Sequence, residues 1–167
     1  MKIAFIVAGV FAAIVVVVVA IGYTLPVKHT ATRERELRAD PAEVFAAIST
    51  PSEFPKWRRG VKSVEMLPPV DGRQSFREKG SDGDITYVFD EAVPTQRLVS
   101  RIADRNLPFG GSWTFELTPV SGGTLVRVTE NGEVYNPLFR FVSRFILGHH
   151  RTLDQYIEDL DRHLSRV

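Results

Sequence analysis

Two glutamates and a histidine, Glu78, Glu130 and His149, are the side chains of this sequence whose type and position bear most directly on chemistry. Glu78 falls in the run Arg73–Lys79 and Glu130 in Gly123–Val134, both of which alternate between apolar and polar residues. Placing the charged Arg77, Lys79 and Arg127 outside turns Phe76, Glu78, Val126, Val128 and Glu130 inward. A carboxyl group in apolar surroundings is desolvated, so its pKa rises and it can donate a proton. Such a group either binds a ligand hydroxyl or carbonyl, or acts as general acid/base on a carbonyl substrate. The structural alternative for Glu130 is a partly solvated ion pair with Arg101 or Arg127 at the strand end before Asn131-Gly132. His149 lies on the apolar stripe of a C-terminal helix, where it either reaches the same interior as a hydrogen-bonding partner or stays satisfied or exposed. His150 shares no face with it, so the two do not chelate.

Other chemistries find little support. The chain has no cysteine, which removes disulfides, thiolate nucleophiles and thiolate metal ligands. No His/Asp/Glu spacing resembles a metal site, and neither metal nor cofactor is expected. Gly110-Gly111 and Gly122-Gly123 lack the residues and the strand–helix context of a phosphate loop, and no serine sits in a nucleophile elbow. With 21 basic and 20 acidic residues, the net charge of +1 creates no field for nucleic acid, which is not an expected partner.

The apolar residues that share the inward faces extend the candidate set. Opposite Glu116, the residues Trp113, Phe115 and Leu117 point one way. In Asp84–Val93 the more apolar set is Ile85, Tyr87 and Phe89, although Val88 on the other face also reads as buried. Trp57, Phe76, Tyr87, Trp113, Phe115, Val126, Val128, Glu130, Phe145 and His149 are therefore the residues expected to line a ligand space, unless they are ordinary core.

Several elements must position these residues. Asp40-Pro41-Ala42-Glu43 reads as a capping carboxylate, a first-turn proline and a capping-box glutamate, and Thr50-Pro51-Ser52-Glu53 repeats the grammar. Residues 41 to 49 and about 51 to 58 are thus predicted as two short helices. A strand or spacer over His29–Arg38 precedes them. From Val61 the period becomes two, giving runs Ser63–Leu67, Arg73–Lys79, Asp84–Val93, Gln96–Ala103, Gly111–Pro119 and Gly123–Val134. Turn-rich separators this short exclude parallel crossovers, so the runs form an antiparallel meander. Asn136-Pro137 opens a long final helix whose stripe Leu138, Val142, Phe145, His149, Leu153, Tyr156, Leu160 and Leu164 must lie on the sheet.

The order resembles the START-like helix-grip superfamily (SRPBCC), in its polyketide cyclase/dehydrase and lipid-transport branch. The resemblance rests on Ala39-Asp40-Pro41-Ala42-Glu43-Val44-Phe45, Phe54-Pro55-Lys56-Trp57, Gly111 to Pro119 and Gly123 to Glu130. It implies an α+β helix-grip fold: a curved antiparallel sheet of about seven strands around a long C-terminal helix, with two short helices after the first strand. It further implies a hydrophobic cavity between sheet and final helix. The fold serves many functions, so ligand and reaction do not follow from it.

The amino-terminal segment departs from that core. Ile3 to Val27 carries no charge, enough to cross a hydrocarbon layer that needs ~20 apolar residues. The segment is predicted as a single-pass membrane helix. A cleaved signal peptide is the competing reading, with Lys2 and Val18-Val19-Ala20 as its parts, but the apolar run exceeds the usual ~7–15 residues. The expected division is an anchor over residues 1–28 and a ligand-binding domain over 29–167; the membrane side of that domain stays open. Pro137 to Leu147 is apolar on more sides than packing on a sheet requires, which suggests a mouth that gates the cavity or touches the bilayer. Three functions follow: a tethered binder or carrier of a lipid, quinone or polyketide-like molecule; a cyclase or dehydratase using Glu130 or Glu78 with His149; or an anchored interaction domain with a filled core.

Overall fold

A computed structural model describes residues 2–81, 83–148 and 150–165 of the chain. The first helix, α1 (Lys2–Thr24), is long and apolar enough to cross a membrane, and its residues from Ile3 to Val17 are all exposed. There follow β1 (Lys28–Leu37), α2 (Pro41–Ser49), a 3-10 turn (Pro51–Glu53) and the single turn α3 (Phe54–Trp57). The strands β2 (Val61–Val70), β3 (Arg73–Gly80), β4 (Gly83–Val93), β5 (Arg97–Ile102), β6 (Phe109–Val120) and β7 (Gly123–Val134) come next. The chain then forms α4 (Pro137–Val142), a π-helical turn (Ser143–Leu147) and α5 (Arg151–Leu164).

Local chemistry accounts for the helix starts. The Asp40 carboxylate accepts from the Ala42 and Glu43 amides at 2.7 and 3.0 Å, and Glu43 accepts from the Asp40 amide at 3.0 Å, which completes the predicted capping box. Asn136 caps α4 by accepting from the Leu138 and Phe139 amides. Thr50 makes no such bond, and the second short helix is correspondingly only a 3-10 turn and one α-turn.

All seven strands pair antiparallel in the order β1-β7-β6-β5-β4-β3-β2. Pro68-Pro69, which the predicted runs Ser63–Leu67 and Arg73–Lys79 leave in the turn-rich separator between them, instead lies within β2, where the register shifts between Leu67 and Val70. β2 is an edge strand, so missing amide donors cost little there. The turn itself is Asp71-Gly72, both with positive φ (51° and 75°), as a two-residue hairpin requires.

α5 covers the inner face of the sheet with Leu153, Tyr156, Ile157 and Leu160, all buried. Ion pairs fix it to both sides: Arg33–Asp154 (2.6 Å) and Arg35–Asp161 (2.7 Å) from β1, and Arg59–Asp159 (2.6 Å) after α3.

The predicted stripe from Leu138 to Leu164 is helical but interrupted. At Gly148 (φ 72°) the chain leaves the helix, closing the π-turn with a bond from its amide to the Ser143 carbonyl. α5 consequently lies on the sheet while α4 turns aside to pack on α1. Gly22 makes this approach possible, since a Cβ there would sit 2.0 Å from the Pro137 carbonyl oxygen. The Arg140 guanidinium, on α4, donates to the Leu25 and Tyr135 carbonyls at 2.8 and 3.2 Å.

Candidate functional site

Register places the inward residues in rows. Across the sheet, Phe76 faces Tyr87, Tyr87 faces Ile102, Ser100 faces Trp113, and Trp113 faces Glu130. Directly opposed residues share a face, and Ser100 and Ile102, two apart on β5, share it as well, so two adjacent rows, Phe76-Tyr87-Ile102 and Phe89-Ser100-Trp113-Glu130, lie side by side on the inner face. Beneath α5 the rows are packed. Tyr156 touches Trp57, Trp113 and Phe115 with ring centroids 5.3, 5.4 and 5.3 Å away, and Phe76 contacts Phe54, Tyr87 and Phe89. Phe76, Phe115, Val126, Val128 and Trp57 are core side chains. This interior, expected from sequence as open space, is occupied by rings under α5 because Tyr156 projects into it.

At the margin of α5 the inner face is less covered. Tyr87, Ser100, Ile102, Trp113 and Glu130 are each only partly buried, because α4 and the π-turn lie against α1 rather than over them. Phe145, expected on the inner face, is 60% exposed and packs on Phe141 at 4.8 Å. The break at Gly148 carries it away. His149 lies outside the described residues.

Glu130 is inward, as alternation predicted, with 19% of its side chain exposed. Burial raises its pKa, opposed by hydrogen bonds from Thr152 and Trp113. Thr152 of α5 donates across 3.5 Å, and the His29 imidazole lies 3.6 Å from the other carboxylate oxygen. Gly132 seats that imidazole: a Cβ there would come within 2.3 Å of the ring. The alternative partners are engaged elsewhere on the outer face, Arg127 with Glu34 and Arg101 with Asp90. Strand parity forbids either from reaching Glu130.

Glu78 is also inward, but as half of an ion pair with Arg58. The Arg58 guanidinium sits over Phe54 and Tyr156, 5.0 Å from each ring centre. Burial pulls the Arg58 pKa down, but Glu78, Tyr156 and Tyr87 outweigh it and leave it raised. Burial pushes the Tyr156 phenol up, with Glu78 adding to the effect and Arg58 opposing it. In the sequence Arg58 stands in a basic run with Lys56, Arg59 and Lys62 around Trp57, which reads equally well as a solvated loop. Its position four residues after Phe54 on a helical turn was the available signal.

Two open concavities are lined by described residues. One, of about 300 Å³, lies between α3 and α5 and includes Trp57, Arg59, Asp159, Arg162 and His163. The other, of about 520 Å³, includes Gly148, Arg151, Asp154 and Glu158. Both are bordered by charged side chains and lie outside the sheet's inner face. Among the described residues no group of three or more His, Asp or Glu side chains is arranged to hold a metal ion.

A curved seven-stranded antiparallel sheet gripping a C-terminal helix, with two short helical turns after the first strand, defines a START-like helix-grip protein. Residues 28–161 match the family described as "Polyketide cyclase / dehydrase and lipid transport", and the chain belongs to that family. A START superfamily protein from Mycobacterium smegmatis is similar in structure, with a TM-score of 0.67 and 17% identity over 83% of this chain and 98% of that one. The Zhui aromatase/cyclase from Streptomyces sp. R1128 has a TM-score of 0.67 and 10% identity, covering 83% and 94%. Norcoclaurine synthase of Thalictrum flavum, in complex with a transition-state analogue, has a TM-score of 0.64 and 12% identity, covering 84% and 96%. At these identities the likeness concerns the fold. No curated protein sequence matches the chain.

Proposed function

We propose that the chain is a membrane-tethered binder or carrier of a hydrophobic small molecule, such as a lipid, quinone or polyketide-like compound. Residues 1–28 form the anchor, which leaves the domain single-pass and held at a bilayer, and residues 29–167 the ligand-binding domain. The observation that carries this reading is the partly covered patch of Tyr87, Ser100, Ile102, Trp113 and Glu130 on the inner face, largely apolar with one carboxyl group, on β7. Such a surface accepts an apolar body and orients a single hydroxyl or carbonyl. Family membership supports the same direction.

A second reading is favoured by Glu130. A carboxyl group whose pKa is raised by burial beside Trp113 has the property required of a general acid, so a cyclase- or dehydratase-like reaction is the alternative. Glu78 is less suited to that role because its carboxyl group is already engaged by Arg58. The aromatic packing around Tyr156 favours a third reading, an anchored interaction domain with a filled core.

Glu130→Gln separates the first two readings. Lipophilic extracts are offered to the purified full chain and both retention and conversion are measured. A binder retains its ligand in the variant and converts nothing in either form. Conversion by the unaltered chain that is abolished in Glu130→Gln identifies the enzyme, and no retention by either protein supports the filled core.

A further inference from the structure

The segment Tyr135–Arg151 combines four features that ligand binding does not explain. It has exposed apolar side chains at Leu138, Phe139, Phe145 and Ile146, the last 68% exposed. It has Arg140, Arg144 and Arg151, and no acidic residue occurs between Glu133 and Asp154. It is docked on α1. And it is turned off the sheet by the break at Gly148.

The docking fixes depth. On α1 the residues that lose exposure before the loop are Val18, Val19 and Gly22, with Leu25 just beyond. Their spacing of three and four marks one helix face, the face on which α4 packs. Val18 lies about 6 Å deeper along α1 than Gly22, taking 1.5 Å of rise per residue. The contact at Gly22 is backbone against backbone, and the Arg140 bond to the Leu25 carbonyl crosses the same junction. α4 therefore cannot stand clear of the last turns of the apolar helix. Tyr23, next to Gly22, and Tyr135, two residues before Pro137, are both exposed beside this junction, and aromatic side chains collect at the interfaces of membrane proteins.

We propose that α4 and the π-turn form a foot that lies in the headgroup and upper acyl region of the same bilayer that holds α1, clamped to it through Gly22–Pro137 and Arg140–Leu25. This rests on the reading of α1 as a membrane span. Phe139, Phe145 and Ile146 enter the acyl boundary while Arg144 and Arg151 meet anionic headgroups, the arrangement of an interfacial amphipathic segment. The clamp gives the domain one fixed orientation instead of a free tether. It also sets the open end of the inner row, Trp113 and Glu130, at the end of the sheet nearest the lipid, since β7 leads from Glu130 directly into α4.

The absence of cysteine makes the test direct. Single-cysteine variants Val16→Cys, Phe139→Cys, Ile146→Cys and Ser121→Cys of the full chain are spin-labelled in nanodiscs of phosphatidylcholine and phosphatidylglycerol. Collision rates with oxygen and with a water-soluble nickel chelate are then compared. Phe139 and Ile146 are expected to show an oxygen-to-nickel ratio several-fold above that at Ser121 in the distal β6–β7 turn, and below that at Val16. A ratio at either foot position equal to that at Ser121 overturns the proposal. So do low rates with both reagents, which signify a protein-covered face. A Val16 label as accessible to nickel as Ser121 overturns the membrane-span reading itself, so the two failures are distinct.

Discussion

Glu78 and Glu130 occupy the same inner face yet meet opposite electrostatics. Glu78 is paired with the Arg58 guanidinium, whereas burial disfavours the ionised form of Glu130. Removing one member of the Arg58–Glu78 pair leaves an unpaired charge among rings, so Glu78→Gln should cost about 3–5 kcal/mol of stability. The double change Arg58→Met/Glu78→Leu should recover most of that loss in thermal unfolding of the detergent-solubilised chain. A double variant as unstable as the single one would contradict the ion-pair account. For Glu130, the folded state binds its proton more tightly than the unfolded state does. Its contribution is therefore complete below the ordinary carboxylate pKa and is lost as pH rises from there through the raised folded value. Glu130→Gln should flatten that decline in a stability–pH series, and an unchanged slope would argue against a desolvated carboxyl. The inward setting of Glu130 was legible because Arg127 had to face out. The role of Arg58 was not, because a basic run beside a tryptophan reads equally well as a solvated loop.

At the scale of elements, caps and strand parity were legible and helix continuity was not. Replacing the cap, Asp40→Ala, should lower stability by about 1 kcal/mol, read as a decreased unfolding temperature. The strands followed from period-two runs and Gly- and Pro-rich turns, with Pro68-Pro69 misread because edge position, which tolerates proline, is a property of the sheet and not of the run. Leu138, Val142 and Phe145 keep the helical spacing of Leu153, Tyr156 and Leu160, so the sequence pattern passes through the break unaltered. Only Gly148 marks it, and a lone glycine is often tolerated inside a helix. The α1–α4 contact was equally hidden, because Gly22 within an apolar run signals nothing until Pro137 is placed against it. Gly22→Val should separate the two helices. A pair of labels at Thr24 and Phe139 should then show a longer and broader distance distribution than in the unsubstituted background, and an unchanged distribution would refute the clamp.

Over the whole molecule, the order of strand, short helices, meander and final helix was enough to point to the helix-grip fold, since few topologies accept that succession. The interior was harder to foresee, because alternation assigns a face but does not say whether the facing element fills the space. Tyr156 fills the part under α5, and the interruption at Gly148 uncovers the rest. The account consequently places ligand binding at the margin of α5, on the partly exposed side of Trp113, not in the packed interior around Tyr156. Native mass spectrometry of the detergent-purified full chain tests this most directly. The account predicts an apolar small molecule bound to the unaltered chain and lost from a folded Trp113→Ala variant. A chain that carries no such molecule, or a Trp113→Ala variant that carries it undiminished, would contradict it.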